Sequence, residues 1–318
     1  MQLLAQLPLV LAALPTLASG AATFQKSSKR GLVFVPNSAH PSDNQIWVES
    51  GSDLTWYYNY GLQPSSAYAN RTQSEFEFVP MLWGAPSSTT DNTFLNGVKA
   101  LISGGRNISH VLTFNEPDGS SSTGGSNVDP AVAATTWIRE IVPLQKQGVK
   151  CGAPAVTGSN GGFTWLASFF DACQSQGTNC TVDFIPIHWY GNFEGLASHI
   201  GQVVGTYPNT SIWITEYALN NADLADSQSF FNTSAEYFDR LSYVDRYSYF
   251  GSFRSSVSNV GPNAAMLTQK GELTDIGSWY LGGAATNNIP KASAASQLSS
   301  ASALSVGLAV VAACFVLL

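Results

Sequence analysis

The sequence predicts an α/β fold, a compact (β/α)8 TIM barrel with short or missing helices after its first two strands. Three observations point there. Eight strand-like apolar runs recur between residues 31 and 251, and helical patterns separate most of them. Most of the runs are near-continuously apolar, as strands covered on both faces should be. Residues 23–290 also match the usual barrel size of roughly 250 residues.

GLVFV (31–35) and DLTWYYN (53–59) open the series, each followed by a Pro/Ser/Asn-rich crossover with little helical period. FEFVPML (76–82) leads into NTFLNGVKALIS (92–103), whose apolar residues fall at helical spacing. After HVLTFN (110–115) comes DPAVAATTWIREIVPLQKQG (129–148). Here Asp129 reads as N-cap, Pro130 as the first helical residue and Gly148 as the close. VKCGAPAV (149–156), DFIPIHWY (183–190), SIWITEY (211–217) and RYSYFG (246–251) complete the strands. Between and after them lie helical patterns at 163–173, 196–207, 233–244 and 273–281. A doubly wound open sheet is the competing arrangement, but no G-x-G-x-x-G follows a strand.

The flanks read as processing signals. MQLLAQLPLVLAALPTLASGAA (1–22) is apolar and ends in small residues, as a secretory signal peptide does, although its positive n-region is missing. KASAASQLSSAS (291–302) reads as a Ser/Ala-rich stalk. ALSVGLAVVAACFVLL (303–318) is a short apolar tail with no basic flank, so the pair resembles a GPI-attachment signal with the anchor near Ser293. A tail-anchored helix is the alternative. A cell-surface or cell-wall glycoprotein, a monomer held to the plasma membrane only through its anchor, is therefore expected. Five N-x-S/T sequons (Asn70, Asn107, Asn179, Asn209, Asn232) agree with this route. Cys173 and Cys180 bracket a short loop and form the natural disulfide; Cys151 is left over and reads as a buried small hydrophobe.

Charged residues make up 11 % of the chain, against roughly 25 % in typical soluble domains. With a formal net charge of −7 and no basic stripe, a nucleic-acid partner is excluded. The four histidines are scattered without metal-ligand spacing, and no G-x-S-x-G elbow is present, so neither metal nor cofactor is expected.

In a barrel the chemistry sits at the C-terminal strand ends. Those ends carry Tyr57, Tyr58, Asn59, Trp83, Asn115, Glu116, His188, Trp189, Tyr190, Glu216, Tyr217 and Tyr249. Two carboxylates among aromatic rings suit cleavage of a glycosidic bond, which needs one acid at the leaving oxygen and one at the anomeric carbon. Glu116 ends the fourth strand and Glu216 the seventh, so they can face each other across the mouth. Trp83, Trp189 and Trp56 are candidate sugar platforms. Trp137, Trp165 and Trp279 fall in helical patterns and read as core, and Trp213 is expected to point outward beneath the helices. Asn115 can bond a sugar hydroxyl, and His188 stands beside the site.

The blocks KRGLVFVPN, LTWYYNYG, FEFVPMLWG, VLTFNEPD, GVKCGAPAVT, DFIPIHWYG and WITEYAL, in this order, resemble glycoside hydrolase family 128. The resemblance covers residues 29 to about 282. It implies a retaining β-1,3-glucanase on a (β/α)8 fold, with Glu116 as acid/base, Glu216 as nucleophile and Asn115 binding the sugar beside the scissile bond. Its substrate would be cell-wall β-glucan, cut internally. A surface protein that binds β-glucan without cutting it, or a transglycosylase that remodels the wall, are the alternatives.

Overall fold

The computed structural model describes residues 26–292. The signal peptide, Ser293 and the apolar tail lie outside them. Eight strands run in chain order: β1 (Arg30–Val33), β2 (Trp56–Tyr58), β3 (Glu77–Phe78), β4 (His110–Val111), β5 (Lys150–Cys151), β6 (Phe184–Tyr190), β7 (Ser211–Ala218) and β8 (Val244–Tyr249). Six form one parallel sheet ordered β3-β2-β1-β8-β7-β6, while β4 and β5 pair separately. Single parallel bridges, Met81 to Leu112 and Gly152 to Phe184, connect the two sheets. The continuous closed ladder expected of a barrel is therefore absent. The interruptions fall beside Pro80 and Pro154, which cannot donate a ladder hydrogen bond.

The helices are α1 (Asp43–Ile46), α2 (Thr93–Ser103), α3 (Pro130–Glu140), α4 (Val142–Gln145), α5 (Asn160–Ser175), α6 (Phe193–Thr206), α7 (Leu224–Arg240) and α8 (Asp275–Tyr280). After β1 stands only the four-residue α1, and after β2 only a three-residue 3-10 turn. Asp129 caps α3 through its carboxylate, which accepts the N–H groups of Ala131 and Val132. Helix α7 starts nine residues before its expected position, because Ala225–Asn232 is polar on one side yet buries Ser227, Phe230 and Phe231 on the other. Lys29 Nζ bonds the carbonyls of Phe238, Asp239 and Leu241 at the far end of α7, neutralising its negative pole.

The strands separate two apolar layers. On the face toward the helices lie Leu32, Tyr57, Ile212, Ile214, Tyr217 and Tyr249, among many others. The opposite face gathers Val33, Trp56, Tyr58, Met81, Phe184 and Trp213 into a second cluster. Trp213 thus points inward, a correction to its expected outward position. Ile214 is the outward residue, and a register shift between Ile214 and Tyr217 breaks strict alternation, so Glu216 also escapes the outer layer. Cys173 and Cys180 are disulfide-bonded with Cα atoms 5.8 Å apart, and Cys151 is a buried free thiol.

Candidate active site

Glu116 and Glu216 are placed by two different local devices. Glu116 follows β4 in the N-E-P-D turn with φ of 39°, a left-handed backbone unusual for a side-chain-bearing residue. The turn is held from several sides. Glu116 N–H donates to Ala155 O (2.7 Å), and its own carbonyl accepts Gly119 N–H (2.8 Å). Pro117 O accepts Val128 N–H (3.0 Å), and the Asp118 carboxylate accepts the N–H and hydroxyl of Thr157. Gly125 passes so close that a Cβ there would lie 2.7 Å from Glu116 O, which excludes any side chain. Glu216 instead belongs to β7 itself, within the register shift between Ile214 and Tyr217, and is 5 % exposed.

The two carboxylates meet around one histidine. His188 Nδ1 lies 3.0 Å from Glu116 Oε1 and 3.4 Å from Glu216 Oε2. A carboxylate only accepts, so Nδ1 carries the proton. Burial works against the charged imidazole, but Glu216 and Glu116 outweigh it and raise the His188 pKa above its ordinary value. One oxygen from each glutamate and the His188 nitrogen all lie within 4.8 Å of one another. Those three groups are close enough to hold a cation, an arrangement the histidine spacing alone concealed.

Three phenols surround Glu216. Tyr60 Oη donates to Oε1 at 2.7 Å, Tyr190 Oη to Oε2 at 2.6 Å, and Tyr58 Oη lies 3.4 Å from Oε1 while bonding Thr215 O at 3.0 Å. Burial, and then the Glu216 charge, push all three hydroxyls well above their usual pKa, so they remain donors. Tyr60 was not among the expected residues. It lies two residues past the end of β2 with φ of 61°, where strand alternation no longer applies. Beside Tyr190 stands Phe250, ring centroids 5.5 Å apart, with Phe253 a further 5.4 Å on; neither was singled out from sequence.

Asn115 is 5 % exposed; its Nδ2 donates to Gly124 O at 3.0 Å, and its Oδ1 has no partner in the structure. Its backbone N–H bonds Trp83 O (2.8 Å). Trp83 packs on the edge of the inner cluster and lines a cavity of about 320 Å³ with Leu62, Leu82, Phe94 and Ser126.

Other expected residues stand elsewhere. Asn59 folds its carboxamide into its own turn, donating to Gln63 O (3.0 Å) and accepting Gly61 N–H (3.3 Å). Trp189 lies one residue out of phase with His188 and Tyr190. It stacks on His199 of α6 at 5.4 Å and donates its indole N–H to Asn192 O; a Cβ at Gly195 would touch its ring at 2.4 Å. Trp56 is buried against Trp213, 5.2 Å between centroids, so neither tryptophan is brought to the carboxylates. Tyr57, Tyr217 and Tyr249 belong to the outer layer. Asn70, Asn107, Asn179 and Asn209 are exposed, whereas Asn232 sits inside α7 with its carboxamide oxygen buried, unlike the surface loop a glycan acceptor needs.

Residues 31–280 match the glycosyl hydrolase catalytic core model. The chain belongs to that family and is a glycoside hydrolase of family 128. Alkali-sensitive linkage protein 1 of Schizosaccharomyces pombe is 32 % identical over 265 residues, which are 80 % of this chain and 44 % of that protein. The chain thus spans less than half the length of that relative. Among solved structures, an endo-β-1,3-glucanase of family 128 from Amycolatopsis mediterranei, complexed with laminarihexaose, is 28 % identical; the match covers 81 % of this chain and 100 % of that one, with a TM-score of 0.58. A family 128 oligosaccharide-binding protein from Trichoderma gamsii shares the fold at 21 % identity, covering 85 % and 96 % of the two chains with a TM-score of 0.60.

Proposed function

We propose that this family 128 hydrolase is a retaining endo-β-1,3-glucanase of the cell surface, with Glu216 as nucleophile and Glu116 as acid/base. One observation carries the mechanism: an oxygen of each glutamate lies within 4.8 Å of the other. Retaining enzymes hold their carboxyls about 5–5.5 Å apart, whereas inverting ones leave about 6.5–9.5 Å for a water. Glu116 takes up a proton from solvent before the first step, while His188 Nδ1–H keeps its bond to Oε1, the carbonyl oxygen of the Glu116 carboxyl group, and then gives that proton to the leaving glycosidic oxygen. The C1–O bond breaks as Glu216 Oε forms a bond to C1. In the second, Glu116 takes a proton from water, the water oxygen bonds C1, and the Glu216 ester bond breaks.

The phenols of Tyr60 and Tyr190 fix both oxygens of Glu216 before the sugar arrives, so little reorganisation accompanies attack. Asn115 Oδ1, buried and unpartnered, is an acceptor suited to a sugar hydroxyl next to the scissile bond. Trp83, Tyr60 and Phe250 offer apolar ring faces at the same mouth. The laminarihexaose complex of the Amycolatopsis mediterranei enzyme supports β-1,3-glucan as the substrate class. We further propose that the two sheets and their bridges act as one barrel, and that signal peptide, sequons and GPI-type tail deliver the domain to the cell surface as a monomer. Incubating the chain with laminarin and curdlan and sizing the products tests the reading. Mixed internal products that vanish in Glu216→Gln support it. Oligosaccharide affinity without any new reducing ends overturns it in favour of binding alone.

A further inference from the structure

The end of the described chain is strapped back along α8. The last residues of α8 reach the start of the strands: Arg30, first in β1, donates to the carbonyls of Trp279 (3.2 Å) and Tyr280 (3.3 Å), and Asp53 N–H bonds Leu281 O (3.2 Å). Residues 284–291 then return. The Asp275 carboxylate accepts the N–H groups of Thr286 and Asn287, each at 2.7 Å, and Asn288 Nδ2 donates to Leu273 O at 2.9 Å. Ser255 Oγ finally donates to Lys291 O at 2.7 Å. Ser255 lies in the loop after β8, and its neighbour Arg254 pairs with Asp43 of α1, in the loop after β1, at 2.6 Å. Both loops stand beyond the C-terminal strand ends, where Glu116 and Glu216 meet.

We propose that the segment following Ala292 leaves the domain from its catalytic end, so that the tethered enzyme turns its mouth toward the lipid bilayer that holds it. This rests on the reading of the C-terminal tail as a membrane tether. Reach makes the exit point decisive. With the anchor near Ser293 only a residue or two of chain remains beyond Lys291, and even the whole of residues 292–302 would span at most about 40 Å fully extended, while a domain of this size is about 45–50 Å across. The stalk is too short to pass around the body and invert it. A second observation agrees. Of the large apolar side chains exposed among the described residues, Val35, Val257 and Ile289 flank this exit, and Val132 stands at the start of α3 on the same end; only Ile102 is at the opposite end. The glucan acted upon is then the chain lying nearest the membrane surface, which a membrane-side glucosyl transfer would supply.

The test uses the cell-produced full chain reconstituted by its own tether into phosphatidylcholine vesicles that carry a headgroup acceptor dye. Donor dyes are placed at Ser88→Cys, in the loop after β3, or at Lys150→Cys, at the start of β5; both positions are exposed, the native Cys151 is buried, and Cys314 leaves with the tail on anchoring. Energy transfer to the bilayer is expected to be at least about twofold greater from position 88, given the domain's width. Equal transfer, or more from position 150, overturns the proposal, as does failure of the chain to associate with vesicles. Laminarin hydrolysis by the same samples reads the catalytic proposal separately.

Discussion

Tyr60 Oη lies 2.7 Å from Glu216 Oε1, from a residue whose backbone adopts φ of 61°. The left-handed turn carries the phenol back over the mouth, opposite the Tyr190 hydroxyl at the other oxygen. Hydrogen bonds to charged groups are worth about 1.5–3 kcal/mol. Tyr60→Phe is therefore expected to lower kcat/KM on laminarioligosaccharides by about 10- to 150-fold with little change in Tm. Steady-state kinetics and calorimetry on the same sample check it. An equal loss of activity and folding would mark Tyr60 as merely structural.

The His188 imidazole links stability to pH in a defined direction. Its folded pKa is raised above the ordinary 6.5, with burial opposing and the two glutamates prevailing. A raised pKa contributes stability that is fully present below about 6.5 and is lost as pH rises through the folded value. The stability gap between wild type and His188→Gln should be widest in acid, about 1–3 kcal/mol, and narrow toward alkaline pH. Thermal unfolding of both forms across that range checks it, and a gap that widens with pH would contradict the bridging role.

At the other end of the strands Glu77 binds Arg246 (2.7 Å) and His110 (3.2 Å), and the Arg246 guanidinium lies 4.3 Å from the Trp213 ring. Burial opposes ionisation of Glu77, but His110 and Arg246 outweigh it and hold its pKa at about 2. Glu77→Gln leaves Arg246 unpaired among Trp56 and Trp213. A fully buried pair would cost about 3–5 kcal/mol to break; partial exposure reduces this to about 1–3 kcal/mol. The contribution is full above the ordinary carboxylate value near 4.5 and is lost as pH falls toward about 2. Urea unfolding of both forms at pH 7 and pH 3 should show the difference shrinking in acid.

Strand order and the two glutamates are legible in the sequence because each acid ends an apolar run, where a carboxylate contributes nothing to packing and must be held by polar partners. The residues misplaced from sequence each have a physical cause. Strict alternation assigns Trp213 and Glu216 to opposite faces, and the register shift after Ile214 breaks it. Trp189 is separable on phase alone, since parity with His188 and Tyr190 sends it to α6, although its aromatic character suits a sugar platform. Tyr60 lies beyond the last paired residue of β2, where neither strand nor helix period applies. The start of α7 is hidden by its polar face. The closed ladder fails at prolines that are plain in the sequence, because an apolar run registers burial and not the supply of ladder donors.

Double displacement requires Glu116 and Glu216 to act as an acid/base and nucleophile pair within reach of the same anomeric carbon. Proton NMR of laminarihexaose during its first turnovers tests this most directly. The β-anomer at the newly formed reducing end is the predicted first product, mutarotating only later, with no product from Glu216→Gln. A first-formed α-anomer, or undiminished cleavage by Glu216→Gln, would contradict it.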